Sequence, residues 1–136
     1  MLVFNSLSDD EQLIAQHLVN VLRERKGEPI SYGEFAHYIH DSAEEKVQVS
    51  SHGKGLRIHW RALGKPLGHI ADACSAQGYP LLPSIVTYKN KKYSGDGFYE
   101  KYNAAKGITR TEPYTTNEKE ELSNKERRLC LERFVS

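Results

Sequence analysis

The chain has 136 residues, 27% of them charged and 38% apolar, with a formal net charge of +1. That length suits one domain with a modest core, and no apolar run approaches the roughly 20 residues needed to cross a bilayer. Two distant cysteines, Cys74 and Cys130, form no CxxC pair, which points to packed thiols in a reducing, cytoplasmic setting rather than a disulfide framework.

The opening MLVFNSLSDDEQ has neither a basic region nor a small-residue cleavage site, so no signal peptide is expected. Ser8 and Glu11 then have the spacing of a capping box. Leu13, Ile14, His17, Leu18, Val21 and Leu22 make one apolar stripe at helical spacing, and Gly27 suits the helix end. In PISYGEFAHYIHD the same box recurs at Ser31 and Glu34, and Phe35, Tyr38 and Ile39 form the inner face of a short second helix. Residues 41–54 lack periodicity and read as a loop.

A short helix is expected around residues 56–63 and another from Pro66 to Gln77, with Gly78 as its stop. SIVTYKNKKYSG reads as a β-hairpin with Asn90 in the turn, and the glycines of SGDGF as the exit from that turn. Residues 106–116 read as a linker. The final segment reads as a helix over 117–136, capped by Asn117, with a thin apolar edge of Leu122, Leu129 and Phe134. The expected fold is therefore mainly α with a small β-hairpin (α+β): a single winged helix-turn-helix-like domain over 1–105, plus linker and C-terminal helix. No repeat or low-complexity segment interrupts it.

Charge is unevenly spread. Residues 1–53 hold four basic side chains against nine acidic ones, a balance of −5. Residues 54–93 hold Lys54, Arg57, Arg61, Lys65, Lys89, Lys91 and Lys92 against Asp72 alone, a balance of +6. A positive block in a near-neutral chain marks an anionic partner, most commonly nucleic acid, with a solubilising face as the plainer alternative. The block spans the candidate recognition helix and wing, the parts of such a fold that enter a groove or grip phosphates.

ISYGEFA (30–36) and PLLPSIVTYKNKKYSGDGF (80–98) together resemble the DNA-binding domain of the alkyltransferase and alkyltransferase-like proteins. Those proteins carry a [TS]YGE[IL]A segment opening a short helix, and later a PLLxPCHRVV…G…GY segment with the cysteine that accepts alkyl groups from guanine. The resemblance covers residues 29–98 and implies a DNA-binding winged helix. It also places Ser84 at the acceptor cysteine, with Ile85 and Val86 where the family has histidine and arginine. A serine hydroxyl without a neighbouring base is a far weaker nucleophile than a histidine-activated thiolate, so the resemblance implies binding without alkyl transfer. Ser84 can equally start the strand or bond its own backbone.

The candidate DNA-binding residues are Tyr32, Lys54, Arg57, Trp60, Arg61, Lys65, His69, Ser84, Lys89, Lys91 and Lys92. The Tyr32 ring can lie beside a phosphate or an extruded base, or staple its helix start. Arg57, Arg61 and Lys65 share one face if the short helix runs that far. The three lysines crown the hairpin as phosphate-binding point charges, or simply keep an edge soluble. Trp60 can stack on a base, although a lone tryptophan is more often a core anchor. His69 and Gln77 can read base edges, but no arginine or asparagine over 68–77 favours sequence-specific readout.

Six histidines, including His37 and His40, show no metal-ligand spacing with a cysteine or carboxylate, and Asp72, Asp96 and Glu100 are isolated. No cofactor, metal or catalytic residue is expected. The expected function is a non-catalytic DNA-binding protein that contacts duplex DNA mainly through the phosphate backbone. The competing class is a small protein–protein inhibitor or adaptor, acting through the acidic N-terminal half or the C-terminal helix.

Overall fold

Ser8 and Glu11 do what their spacing predicts. The Glu11 amide donates to Ser8 Oγ at 3.2 Å and the Ser8 amide to Glu11 Oε1 at 3.1 Å, opening α1 (Asp9–Glu24). Asp9, Asp10 and Glu11 in the first turn also suit the positive end of the helix dipole. The helix closes where Lys26 and Gly27 turn to positive φ, 55° and 86°, and the Gly27 amide returns to the Leu22 carbonyl at 3.0 Å. In this computed structural model, residues 4–44 and 58–135 are described; Lys54 and Arg57 lie outside them.

Ser31 and Glu34 form the second reciprocal pair, both bonds at 3.1 Å, at the junction of β1 (Ile30–Ser31) and α2 (Tyr32–Glu44). α2 runs past residue 41, where the loop was expected. The short helix expected at 56–63 is a 3₁₀ turn over Trp60–Ala62, so Arg61 and Lys65 do not share one helical face. Lys65 instead lies in the first turn of α3 (Gly64–Ala76), which Gly78 ends at φ 72°. A second 3₁₀ turn, Leu82–Ile85, leads into β2 (Val86–Thr87).

The hairpin is where the strand pairing differs from expectation. β2 pairs with β1 in parallel, Ile30 opposite Val86 and Ser31 opposite Thr87, rather than folding back on residues 91–95. After β2 the chain makes a tight turn. The Tyr88 amide reaches the Tyr93 carbonyl at 3.1 Å, the Lys91 amide reaches the Tyr88 carbonyl at 3.0 Å, and Asn90 takes φ 61°. Beyond it lies a helix not expected from the sequence, α4 (Asp96–Lys106), stopped by Gly107 at φ 67°. Its buried side chains, Phe98, Tyr99 and Tyr102, have helical spacing. The glycines of SGDGF, expected to form a turn exit, instead flank its start.

α5 (Thr116–Phe134) is capped two residues earlier than expected, by Thr115, in a third reciprocal pair with Glu118. Its inner face is polar. Ser123, Glu126, Arg127 and Cys130 are buried, whereas Leu129 is exposed and Leu122 and Phe134 only partly covered. The fold is thus a mainly helical α+β unit with a two-stranded parallel sheet, and its core surrounds the Leu82–Ile85 turn. α1, α3 and α5 all pack on that turn, with Leu18, Leu22, Phe35, Ile39 and Ile70 fully buried around it. Phe35 and Ile39 come from α2 at the helical spacing read in the sequence. No helix among the described residues is long and apolar enough to cross a membrane.

Candidate nucleic-acid interface

The parallel pairing of β1 and β2 brings the start of α2 beside the turn after β2. The Trp60–Ala62 turn and the first half of α3 close the other side. Between them lies a cleft of about 390 Å³, floored by Leu67, Pro83 and Phe98 and walled by Tyr32, Trp60 and Tyr88. A second hollow of about 330 Å³ adjoins it, sharing those three aromatic residues and adding Lys89. Both volumes fall in the range of small-ligand sites, about 300–1,000 Å³.

Tyr32 forms the back wall. Its hydroxyl accepts the Gly95 amide at 2.9 Å, and its ring lies 5.6 Å from that of Tyr88. Burial raises the Tyr32 phenol above its ordinary pKa, outweighing the opposing hydrogen bond from Gly95, so the hydroxyl stays neutral. Gly95 suits the close approach of two phenol oxygens. A Cβ there would sit 3.2 Å from the Tyr32 hydroxyl oxygen and 3.3 Å from that of Tyr88. Trp60 is 45% exposed rather than a core anchor, with His59 stacked on one side and the Arg61 guanidinium 5.2 Å from its ring centre.

The electrostatics of this face depend on which charges are paired. The Asp72 carboxylate is held by Lys101 at 2.8 Å and that of Asp96 by Lys119 at 3.2 Å. Arg61, Lys65, Lys89, Lys91 and Lys92 are exposed, and none forms an ion pair among the described residues. Arg61 and Lys89 therefore stand at the cleft and its neighbouring hollow as unpaired positive charge, with Lys65 beside them, while Asp96 and Glu100 put carboxylates on the α4 part of the lining.

Of the sequence-derived candidates, Tyr32, Trp60, Arg61 and Lys89 line the adjoining hollows, Lys65 lies beside Gly64 of the cleft, and Lys91 and Lys92, on the turn, line neither. Two candidates are placed differently. Ser84 is fully buried, its Oγ 3.8 Å from Cys130 Sγ, so it presents nothing to a ligand. The His69 Nδ1 bonds the Glu11 carboxylate, which ties the exposed side of α3 to the start of α1 and fixes the orientation of the half-exposed ring, away from the lining of the cleft.

Tyr88, Gly95 and Lys101 belong to the site although they are not among those candidates. The aromatic-then-basic order Tyr88–Lys89 is the available signal for the first. The other two depend on contacts far apart in sequence.

The segment beneath the cleft is held from behind by α5. Arg127, 3% exposed, donates from Nη1 to the Ser84 carbonyl at 3.2 Å and to the Lys92 carbonyl at 3.4 Å, and from Nη2 to Lys92 again at 3.5 Å. Burial pulls its pKa below the ordinary value, yet a guanidinium stays charged in proteins. The Leu81 amide donates to Glu126 Oε1 at 3.0 Å. The Tyr99 hydroxyl accepts the Ser94 amide at 3.1 Å and lies 2.7 Å from Ser123 Oγ.

Burial raises the Cys74 thiol to about 11 and the Cys130 thiol further still, so both remain protonated and unreactive. Among the described residues no group of three His, Cys, Asp or Glu side chains converges as metal ligands. The chemistry this arrangement offers is stacking, hydrogen bonding and attraction of negative charge. No family model matches the chain, and searches of curated proteins and of solved structures return no match.

Proposed function

We propose that this is a non-catalytic, duplex-DNA-binding protein of alkyltransferase-like, helix-turn-helix type that holds DNA mainly through its phosphate backbone. One observation carries the reading: an aromatic cleft of Tyr32, Trp60 and Tyr88 is lined by Arg61, adjoins Lys89 and lies beside Lys65, three exposed cations that have no carboxylate partner among the described residues. Phosphates neutralise such cations while releasing condensed counterions, and an aromatic cleft of this size suits a base extruded from the duplex.

The two segments that carry the family resemblance lie side by side through the β1–β2 pairing, which is consistent with their belonging to one site. Ser84, at the family's acceptor position, is directed to Cys130 and away from the cleft, which supports binding without alkyl transfer. Two buried, unlinked thiols suit a cytoplasmic protein.

Fluorescence anisotropy of a short labelled duplex at several salt concentrations tests the reading. Binding is expected to weaken steeply with salt. Arg61→Ala should lower the slope of log K against log salt by about 0.9, the share of one phosphate contact. Absence of binding at low salt would refute the proposal and leave a protein partner as the explanation of the acidic first half.

A further inference from the structure

The lysine turn lacks the support a hairpin would give it. β2 is two residues long and among the described residues pairs only with β1, so no ladder of cross-strand bonds there runs through Lys89–Lys92. The turn's own two backbone bonds and a Ser94 Oγ bond to the Val86 carbonyl at 2.7 Å close its base, and α5 ties down its far arm. The Arg127 guanidinium bridges the carbonyls of Ser84 and Lys92, spanning the base and the return of the turn. Lys119 adds a weaker hold, its Nζ 5.6 Å from the Tyr93 ring centre.

The placement of Arg127 is unusual within its own helix. Arg128 is exposed and Arg133 lies over the Tyr79 ring at 4.3 Å, whereas Arg127 turns inward to carbonyl acceptors. Desolvating a cation is expensive, and an apolar side chain of similar volume often serves stability as well. Two fixed carbonyls recover part of that cost in a form an apolar residue cannot supply: a defined distance between residues 84 and 92.

We infer that Arg127 is a positioning residue for DNA binding: from inside the fold it sets the lysine turn, so that Lys89, Lys91 and Lys92 meet phosphates together. This inference rests on the DNA-binding reading above. Arg127 makes no contact with DNA itself; it acts through the turn.

The test is a cycle of full-length variants: wild type, Arg127→Met, the triple Lys89→Ala/Lys91→Ala/Lys92→Ala, and the four changes combined. Duplex affinity is measured by anisotropy across a salt series, well below each melting midpoint. Arg127→Met should lower the salt slope by about 0.9 and weaken binding about eightfold at 0.1 M relative to 1 M salt, the effect of losing one phosphate contact. In the triple-lysine background it should cause no further loss.

A population of unfolded chain would instead lower affinity by the same factor at every salt concentration. If Arg127→Met does not fold, Arg127→Lys, which keeps the charge but reaches one carbonyl at a time, takes its place in both backgrounds with a smaller effect in the same direction. An unchanged slope with the lysines present, or an equal loss in both backgrounds, overturns the inference while the DNA-binding reading stands. A triple-lysine variant that binds like wild type removes both the turn's role and the inference.

Discussion

Gly95→Ala measures how tightly the wall of the cleft is built. The backbone there has φ −69° and ψ 164°, which alanine adopts without strain. Restricting the unfolded chain should alone stabilise by about 0.4–1 kcal/mol. Two terms oppose this. Alanine is a poorer N-cap than glycine, which costs roughly 0.5 kcal/mol or somewhat more at the start of α4. The new Cβ also meets two phenol oxygens, at 3.2 and 3.3 Å.

Tyr88 is 47% exposed and can swing aside. Tyr32 cannot move so freely, because its hydroxyl is bonded to the Gly95 amide itself. Displacing it forfeits much of a hydrogen bond worth about 0.5–1.5 kcal/mol. The net expectation is destabilisation by about 1 kcal/mol, taken from the sum of these terms.

Urea unfolding of wild type, Gly95→Ala, Tyr32→Phe and the double variant gives the coupling directly. With the hydroxyl removed, Gly95→Ala should become nearly neutral, a coupling of about 1 kcal/mol. An effect of Gly95→Ala that is the same in both backgrounds within about 0.3 kcal/mol would refute the argument, because the phenol would then not be what the Cβ meets.

The same geometry sets two further outcomes. Glu126→Ala orphans the Leu81 amide inside the core and should cost about 1–3 kcal/mol, read by urea unfolding. Acid should act through the capping carboxylates. Desolvation raises the Glu11 carboxyl, but bonds from His69 and Ser8 and the nearby His69 charge together outweigh it. Chiefly the Ser31 amide, with the Ser31 hydroxyl and Arg25, lowers that of Glu34. Both folded-state pKa values therefore lie below the ordinary 4.5. The stability they confer is complete above 4.5 and is lost as pH falls through the lowered values. Glutamine can still fill the third position of a capping box. Thermal melts of Glu11→Gln/Glu34→Gln should thus show a smaller drop between pH 6 and pH 3 than wild type. An equal drop would assign acid sensitivity to other groups.

The local architecture is legible because its causes are local. The boxes at Ser8–Glu11 and Ser31–Glu34 close within three residues, and the stripe along α1 and the Phe35–Ile39 face repeat at the period of the helix. The same pattern is present in Phe98, Tyr99 and Tyr102. The glycines before them suggest a turn and so mask α4, although an N-cap glycine is compatible with a helix start. In α5 the expected apolar edge is not the buried one. The buried stripe is Ser123, Glu126, Arg127 and Cys130, and its polar members bond groups far off in the chain: Ser123 to Tyr99, Glu126 Oε1 to the Leu81 amide and Arg127 to the Ser84 and Lys92 carbonyls.

By itself the sequence determined the main helices, two of the three capping boxes, the turn at Asn90, the absence of a long apolar span and the concentration of positive charge within 54–93. Only the tertiary structure decided the parallel pairing of β1 with β2, the burial of Ser84, the exposure of Trp60 and the inward turn of Arg127. The physical reason is separation along the chain. The Tyr32–Gly95, His69–Glu11 and Arg127–Ser84 bonds join residues 63, 58 and 43 positions apart. Bonds of that kind form only when packing brings their partners together, and no short-range period records them.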